Sequence, residues 1–366
     1  MKKILLGATA LSMMGVAGGV AAQEWSSTVG GSMVVGIGAV DAERAETNAV
    51  VVNNSEVTFN FRLVADNGLT FSVKGELENN GADNNMDEYV GRVAGSFGTI
   101  EIGAEDGAMD RLFGGPAGAT AFTAAGDATG LLFDYQDGEV GYGIDTDGEE
   151  SSDDLKITYF TPSFSGFQAG VSFIPTDQEG PTHTSIQRED QGMVEVGAEY
   201  EGDFGGFTVG VGAGASFAED DRDFESSYGG SLNVGFGGFS IGGSIGFIDV
   251  DIDTGTPTTS IDDDYLAYAI GANYATGPWL FGLQFAQTLD APSSSVNGTS
   301  LRGAEADFND QFGVSAGIDY ALAPGVTVGA TLEYLDAGDN TFTDDDGDIT
   351  DFDDAYAAGI FMNLDY

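Results

Sequence analysis

Glu56-Val57-Thr58-Phe59-Asn60-Phe61-Arg62-Leu63 leads through Val64 and Ala65 to Asp66-Asn67-Gly68, then to Leu69-Thr70-Phe71-Ser72-Val73-Lys74. Both arms alternate apolar and polar residues with period two, the pattern of a half-buried strand. Asp-Asn-Gly between them is a tight hairpin turn, because glycine accepts the positive φ such a turn requires. Val57, Phe59, Phe61, Leu63, Phe71 and Val73 fall on one face. Arg62 and Lys74 fall on the other. One face therefore meets an apolar medium and the opposite face meets water.

The same rhythm extends outward through the chain. It predicts strands at Glu24–Val40, from Glu56, from Leu69, at Tyr89–Gly95 and at Thr99–Glu105. It resumes at Leu155 and again after Gly166. Further strands are predicted at Val194–Tyr200, Phe207–Phe217, Tyr228–Phe236, Phe239–Phe247, Leu266–Tyr274, Trp279–Phe285, Phe312–Tyr320, Val326–Tyr334 and Tyr356–Tyr366. Seven connections are tight, near residues 66, 97, 163, 203, 237, 277 and 323. The others are long and acidic or polar. Sorting of short turns to one rim and long loops to the other marks a transmembrane β-barrel of the outer-membrane type. No Asp, Glu, Lys or Arg falls on the aromatic and aliphatic face of these strands, although 19% of the chain is charged. A Lys or Arg facing lipid at the midplane costs about 2–4 kcal/mol, whereas a wet lumen accepts it. Phe204, Phe207, Phe236, Phe239, Tyr274, Trp279, Phe281 and Tyr320 cluster beside the tight turns, as an interfacial aromatic belt would.

Residues 106–152 break the rhythm. They carry Gly114-Gly115-Pro116-Ala117-Gly118-Ala119-Thr120-Ala121 and then scattered acids. An insert of this length without regular structure is commonly functional. It is expected to fold inside the barrel and set the width and charge of a pore.

Composition narrows the field. The net charge is −49. That excludes nucleic acid as a partner, since phosphate binding needs clustered Lys and Arg. The absence of cysteine from all 366 residues excludes disulfides and thiolate metal sites. Lys2 and Lys3, the short apolar run Ile4–Val16 and the small residues Val20-Ala21-Ala22 read as an export signal over 1–22, cleaved before Gln23. No later run offers 18 apolar residues for a spanning helix. The mature unit expected is 23–366.

The turn Tyr159-Phe160-Thr161-Pro162-Ser163-Phe164-Ser165-Gly166-Phe167, the alternating C-terminal Ile360, Met362, Leu364 and Tyr366, and the long loop after the fifth strand together resemble the 16-stranded general porins of Gram-negative outer membranes, alphaproteobacterial type. The resemblance implies an all-β, 16-stranded antiparallel transmembrane β-barrel with a long infolded constriction loop at 106–152. It implies a homotrimer in outer-membrane lipid that passes ions and small hydrophilic solutes. It also implies an eyelet in which a basic wall, here Arg62, Lys74 and Arg92, faces acids on the loop, here Glu105, Asp106, Asp110, Asp127, Asp134 and Asp137. Arg111 lies within the loop, where it is expected to pair locally. Cations are sparser than that family often shows, so weak cation selectivity is expected.

Two acid clusters, Asp249-Val-Asp251-Ile-Asp253 and Asp344-Asp345-Asp346-Gly347-Asp348, could supply calcium with oxygen ligands at Asp249, Asp251, Asp253, Asp344, Asp346 and Asp348. The simpler reading, and the one preferred, is acidic, solvated extracellular loops. EF-hand spacing fails in the first, where Gly255 falls one place late and no closing Glu follows. No cofactor is required, and His183, the single histidine, supports no catalytic arrangement. Two rivals stand beside the diffusion channel: a substrate-selective channel of the same fold, and a secreted acidic calcium-binding β-protein. Tandem Gly-Gly-x-Gly-x-Asp repeats, which a β-roll needs, are absent.

Overall fold

The computed structural model describes residues 24–41, 50–78, 86–118, 120, 146, 151–175, 192–218, 225–253, 260–289, 294–296, 299–301, 312–336, 341–343, 349–351 and 354–366. The export signal expected at 1–22 lies outside them.

Alternating sequence becomes strand throughout. The first thirteen strands are β1 (Ser26–Asp41), β2 (Val50–Val64), β3 (Thr70–Glu78), β4 (Tyr89–Gly95), β5 (Gly98–Ala104), β6 (Leu155–Phe160), β7 (Phe167–Ile174), β8 (Met193–Asp203), β9 (Phe207–Ala218), β10 (Ser226–Phe236), β11 (Phe239–Asp253), β12 (Ser260–Thr276) and β13 (Trp279–Leu289). Then come β14 (Ser294–Val296), β15 (Thr299–Leu301), β16 (Phe312–Ala323), β17 (Val326–Asp336), β18 (Thr341–Thr343), β19 (Ile349–Asp351) and β20 (Ala355–Asp365). The pairs β14–β15 and β18–β19 are small hairpins within long connections. The other sixteen strands pair with their neighbours in chain order and close as one antiparallel barrel, β20 meeting β1 with Val35 opposite Met362. Closure leaves no open strand edge, a requirement inside a bilayer. At the seam the N–H of Gly31 donates to the carbonyl of Tyr366 at 3.1 Å, and the N–H of Tyr366 donates back at 3.0 Å.

The register keeps the two faces separate. Phe61 lies opposite Val73, Val93 opposite Ile100, Ile102 opposite Ile157, and Phe173 opposite Val194. One inward row runs Arg62, Ser72, Arg92, Glu101, Thr158, Ser172, Glu195, Ser216 across eight strands. The molecule is thus apolar outside and polar within: Ile37 is 59% exposed and Ile360 63%, while Lys156 is 3% and Glu195 0% exposed. A soluble sandwich or β-roll would hide the first pair and expose the second. The secreted-protein reading is therefore set aside.

Aromatic rings form two belts. Near the tight turns, Phe207, Phe236, Phe239 and Tyr274 touch in series, with centroids 5.9, 5.8 and 4.2 Å apart. At the other rim, Phe285, Phe312, Tyr334 and Tyr356 follow at 5.7, 5.8 and 4.9 Å. From Phe239 to Phe247 is about 26 Å along the strand at roughly 3.3 Å per residue. After a tilt of about 40° the rise is about 20 Å, close to the apolar band of an outer membrane.

The insert is not wholly irregular. Ala108–Phe113 forms the helix α1, with Gly107 before it and Gly114, at φ 67°, ending it. The cluster at Asp249–Asp253, read above as loop, continues β11. Val250 and Ile252 keep the alternation, so Asp251 pairs in register with Asp262 and Asp249 with Asp264.

Candidate functional site: the lumen and its infolded segment

α1 lies inside the barrel against the inward faces of β6 to β10. Its seat is a bed of glycine. A Cβ at Gly197, Gly212, Gly271 or Gly282 would overlap the carbonyl oxygens of Ala108, Phe113, Ala117 and Gly118 respectively. At Gly214 a Cβ would stand 2.6 Å from Met109 Cγ, and at Gly229 2.8 Å from Phe113 Cε2. Missing side chains thus let the segment's backbone lie directly on the sheet. Met109, Leu112 and Phe113 fill the gap and are buried.

Hydrogen bonds fix the seat. The N–H of Ala108 donates to Ser172 Oγ at 2.8 Å. Ser231 Oγ donates to the carbonyl of Phe113 at 2.6 Å, and Asn233 Nδ2 to that of Gly115 at 2.8 Å. Farther on, the hydroxyls of Thr146 and Ser244 lie 2.6 Å apart. The small inward residues of β9 to β13 are therefore a docking surface for the loop.

On the wall from β3 to β5, cations and carboxylates interleave. Lys74 Nζ pairs with Glu88, with Glu105 Oε1 at 3.3 Å and with Glu76 Oε2 at 3.3 Å. Arg92 reaches Glu105 Oε2 at 2.7 Å through Nη2 and Glu101 Oε1 at 3.0 Å through Nε. Arg111, from α1, takes Glu101 Oε2 at 2.7 Å and lies 4.3 Å from the centre of the Phe160 ring, a cation–π contact. The result is one chain: Glu88, Lys74, Glu105, Arg92, Glu101, Arg111.

The expected eyelet has two opposed walls, and this ladder differs from it. Of the expected acids, the structure brings Glu105 to the cations. Asp106 stands beside it. Carboxylate oxygens of Glu88, Glu105 and Asp106 lie within 4.8 Å of one another, a spacing that suits a cation, and the Lys74 ammonium already pairs with the first two. Asp110 is in the first turn of α1, half-buried. Asp127, Asp134 and Asp137 lie outside the described residues. Arg62 sits exposed on the inward row, with no acid in ion-pair range among the described residues. Of the calcium candidates, Asp249, Asp251 and Asp253 extend β11, while Asp344, Asp346 and Asp348 lie outside the described residues.

Sequence reasoning missed Glu76, Glu88 and Glu101. For Glu101 the signal was present, since a turn at Ser96-Phe97 fixes the register that places Arg92 opposite Glu101.

Two carboxyls where the long connections join the strands are perturbed. Burial pushes Asp153 up to about 7, and Glu88, Asp106 and Asp87 add to it while Lys156 opposes it. Burial also raises Glu88, with the Lys74 hydrogen bond pulling the other way.

Beneath α1, toward the tight turns, a recess of about 490 Å³ is lined by Leu112, Gly114, Glu199, Glu201, Asp203 and Asn233. Among the described residues no Lys or Arg pairs with its three acids.

The family model of the Gram-negative porins matches residues 7–340. Similar solved structures include an anion-selective porin from Comamonas acidovorans, 15% identical, covering 94% of this chain and 100% of its own with a TM-score of 0.60. The trimer form of OmpT from Vibrio cholerae is 15% identical over 93% of this chain and 100% of its own, with a TM-score of 0.61. A Rh. blastica porin mutant is 14% identical over the same shares, with a TM-score of 0.58. None of the curated proteins matches.

Proposed function

Because the chain belongs to the Gram-negative porin family and is an outer-membrane channel for passive diffusion, we propose that this channel is weakly cation-selective, works as a homotrimer and performs no chemistry. The observation that carries the selectivity is the ladder. Lys74, Arg92 and Arg111 are each matched by glutamate, so these cations offer little net field to a passing anion. Glu199, Glu201 and Asp203 face the lumen without a basic partner among the described residues. In a narrow aqueous path with low-dielectric walls, such acids raise the local cation concentration. The trimer rests on the family and on the OmpT trimer form. No cofactor is needed. Divalent cations such as calcium enter only as counter-ions to acidic stretches such as Asp249-Val-Asp251-Ile-Asp253.

The test is the reversal potential of refolded protein in a planar bilayer under a KCl gradient. Stepwise conductance with a cation-favouring potential is expected. An anion-favouring potential would overturn the selectivity and leave the channel. Native mass spectrometry in detergent tests the trimer, and a monomer at all concentrations would overturn it.

A further inference from the structure

The two ends of the infolded segment emerge side by side, because β5 and β6 are antiparallel neighbours with Ala104 opposite Leu155. Two side chains of opposite sign, both nine-tenths buried, reach these ends from the wall. Lys156, on β6, donates from Nζ to the carbonyl of Glu105 at 2.6 Å and to the carbonyl of Ser152. One ammonium thus holds the entry and the exit of the segment. Glu195, on β8, does the same with the opposite charge. Its Oε1 accepts from the N–H of Ser151 at 2.6 Å, and its carboxylate packs on Gly107, where a Cβ would overlap it. Ser152 between these contacts is held at φ 38°, a conformation a non-glycine residue adopts at a cost.

A buried lysine is costly unless its donors are taken, and a buried carboxylate likewise. Here the Lys156 ammonium donates to the segment's backbone, and Glu195 accepts from it through Oε1, while Oε2, pressed against Gly107, has no hydrogen-bond partner among the described residues. Both are buried away from the open lumen.

We propose that Lys156 and Glu195 form a clasp that fixes the pore's aperture by holding entry and exit of the infolded segment together. They are positioning residues: with the clasp closed, α1 stays on its glycine bed and Arg111 stays on Glu101. With the clasp broken, the root of the segment is free to shift into the lumen. The proposal rests on the channel reading above.

Single-channel recordings of wild type, Lys156→Met, Glu195→Ala, Lys156→Arg and Glu195→Gln test it. The first two variants should show open-state current noise raised several-fold and closure at lower voltage. The conservative pair, which keep a donor on the carbonyls and an acceptor for Ser151, should stay as quiet as wild type. A role in barrel stability alone would lower melting temperature and leave inserted channels quiet. Met and Ala variants as quiet and voltage-tolerant as wild type would overturn the clasp. Should those variants fail to fold, hydrogen exchange on the wild type decides. The Ser151 amide should exchange as slowly as those of β6, and rapid exchange would overturn the proposal. Failure of the channel reading looks different, since wild type itself would then show no stepwise conductance.

Discussion

Replacing Arg92 by Ser should make the channel more cation-selective without unfolding it. Arg92 bridges Glu101 and Glu105, and each of those keeps a second cation, Arg111 for the first and Lys74 for the second. Neither carboxylate is left buried and unpaired, a state that would cost about 3–5 kcal/mol. The loss is that of charge-assisted hydrogen bonds, about 1.5–3 kcal/mol each before the remaining partners readjust. The lumen meanwhile loses one positive charge. At about 6 Å from a passing ion in water, a unit charge is worth about 0.7 kcal/mol. A Debye length near 10 Å at 0.1 M cuts this to about 0.4 kcal/mol. That is roughly twofold in local potassium and twofold the other way in chloride, hence about fourfold in their ratio. Under a tenfold KCl gradient, at about 59 mV per decade, the reversal potential should move by about 25 mV toward cations. At 1 M salt the Debye length is about 3 Å and most of the shift should vanish. No shift at 0.1 M would remove Arg92 from the ion path. An equal shift at both salts would mean that a change of shape, and not of charge, is responsible.

Gly212→Leu or Gly271→Leu should lift the segment off its bed at about 1–3 kcal/mol of overpacking, changing unitary conductance and opening Arg111 to trypsin. Gly210→Ala, where a Cβ meets nothing within 4 Å, should do neither. Asp153 should titrate near pH 7, so cation selectivity of wild type should rise between pH 6 and 8, and Asp153→Asn should flatten that rise. Because the fold raises this carboxyl, the native state holds its proton longer than the unfolded chain. Its contribution to stability is therefore greatest at low pH and falls as pH climbs through about 7, which a melting series would show. The backbone register sets Asp249 opposite Asp264 and Asp251 opposite Asp262, and like charges directly opposite destabilise a sheet. Melting temperature should thus rise with added calcium or salt, and insensitivity to both would count against that repulsion.

The barrel was legible in the sequence because a membrane strand repeats one simple rule. Phe59, Phe61 and Leu63 against Asn60 and Arg62 state it, and the register obeys it from β1 to β20. Strand ends were less legible. Val50–Asn54 and Asp249–Asp253 continue past the apolar band, where no lipid enforces the pattern. α1 was hidden because six residues show less than two turns of periodicity. The site was half legible. Lys74 and Arg92 point inward as expected, but their partners depend on cross-strand register and on side-chain reach. Lys156 and Glu195 looked like ordinary lumen charges, because what they hold is backbone far away in sequence. Gly197, Gly212, Gly271 and Gly282 had the opposite fault. They fall on the polar face of their strands, yet a missing side chain does not say what fills its place.

The glycine bed also has a consequence in time. Ala117 and Gly118, a dozen residues past β5, rest on Gly271 of β12 and Gly282 of β13, which follow them by more than 150 residues. Contacts so distant in the chain form late, since the loop they close is long and its entropy must be met first. When β5 and β6 pair, only their own side of the seat exists. The remainder arrives with the last third of the chain. Aperture and barrel are therefore completed in that order reversed: the wall must close before the constriction has anywhere to lie. A chain arrested before β13 would be wide open or unstructured at its centre, and seating of residues 108–118 should be the slowest protection to appear in a refolding time course.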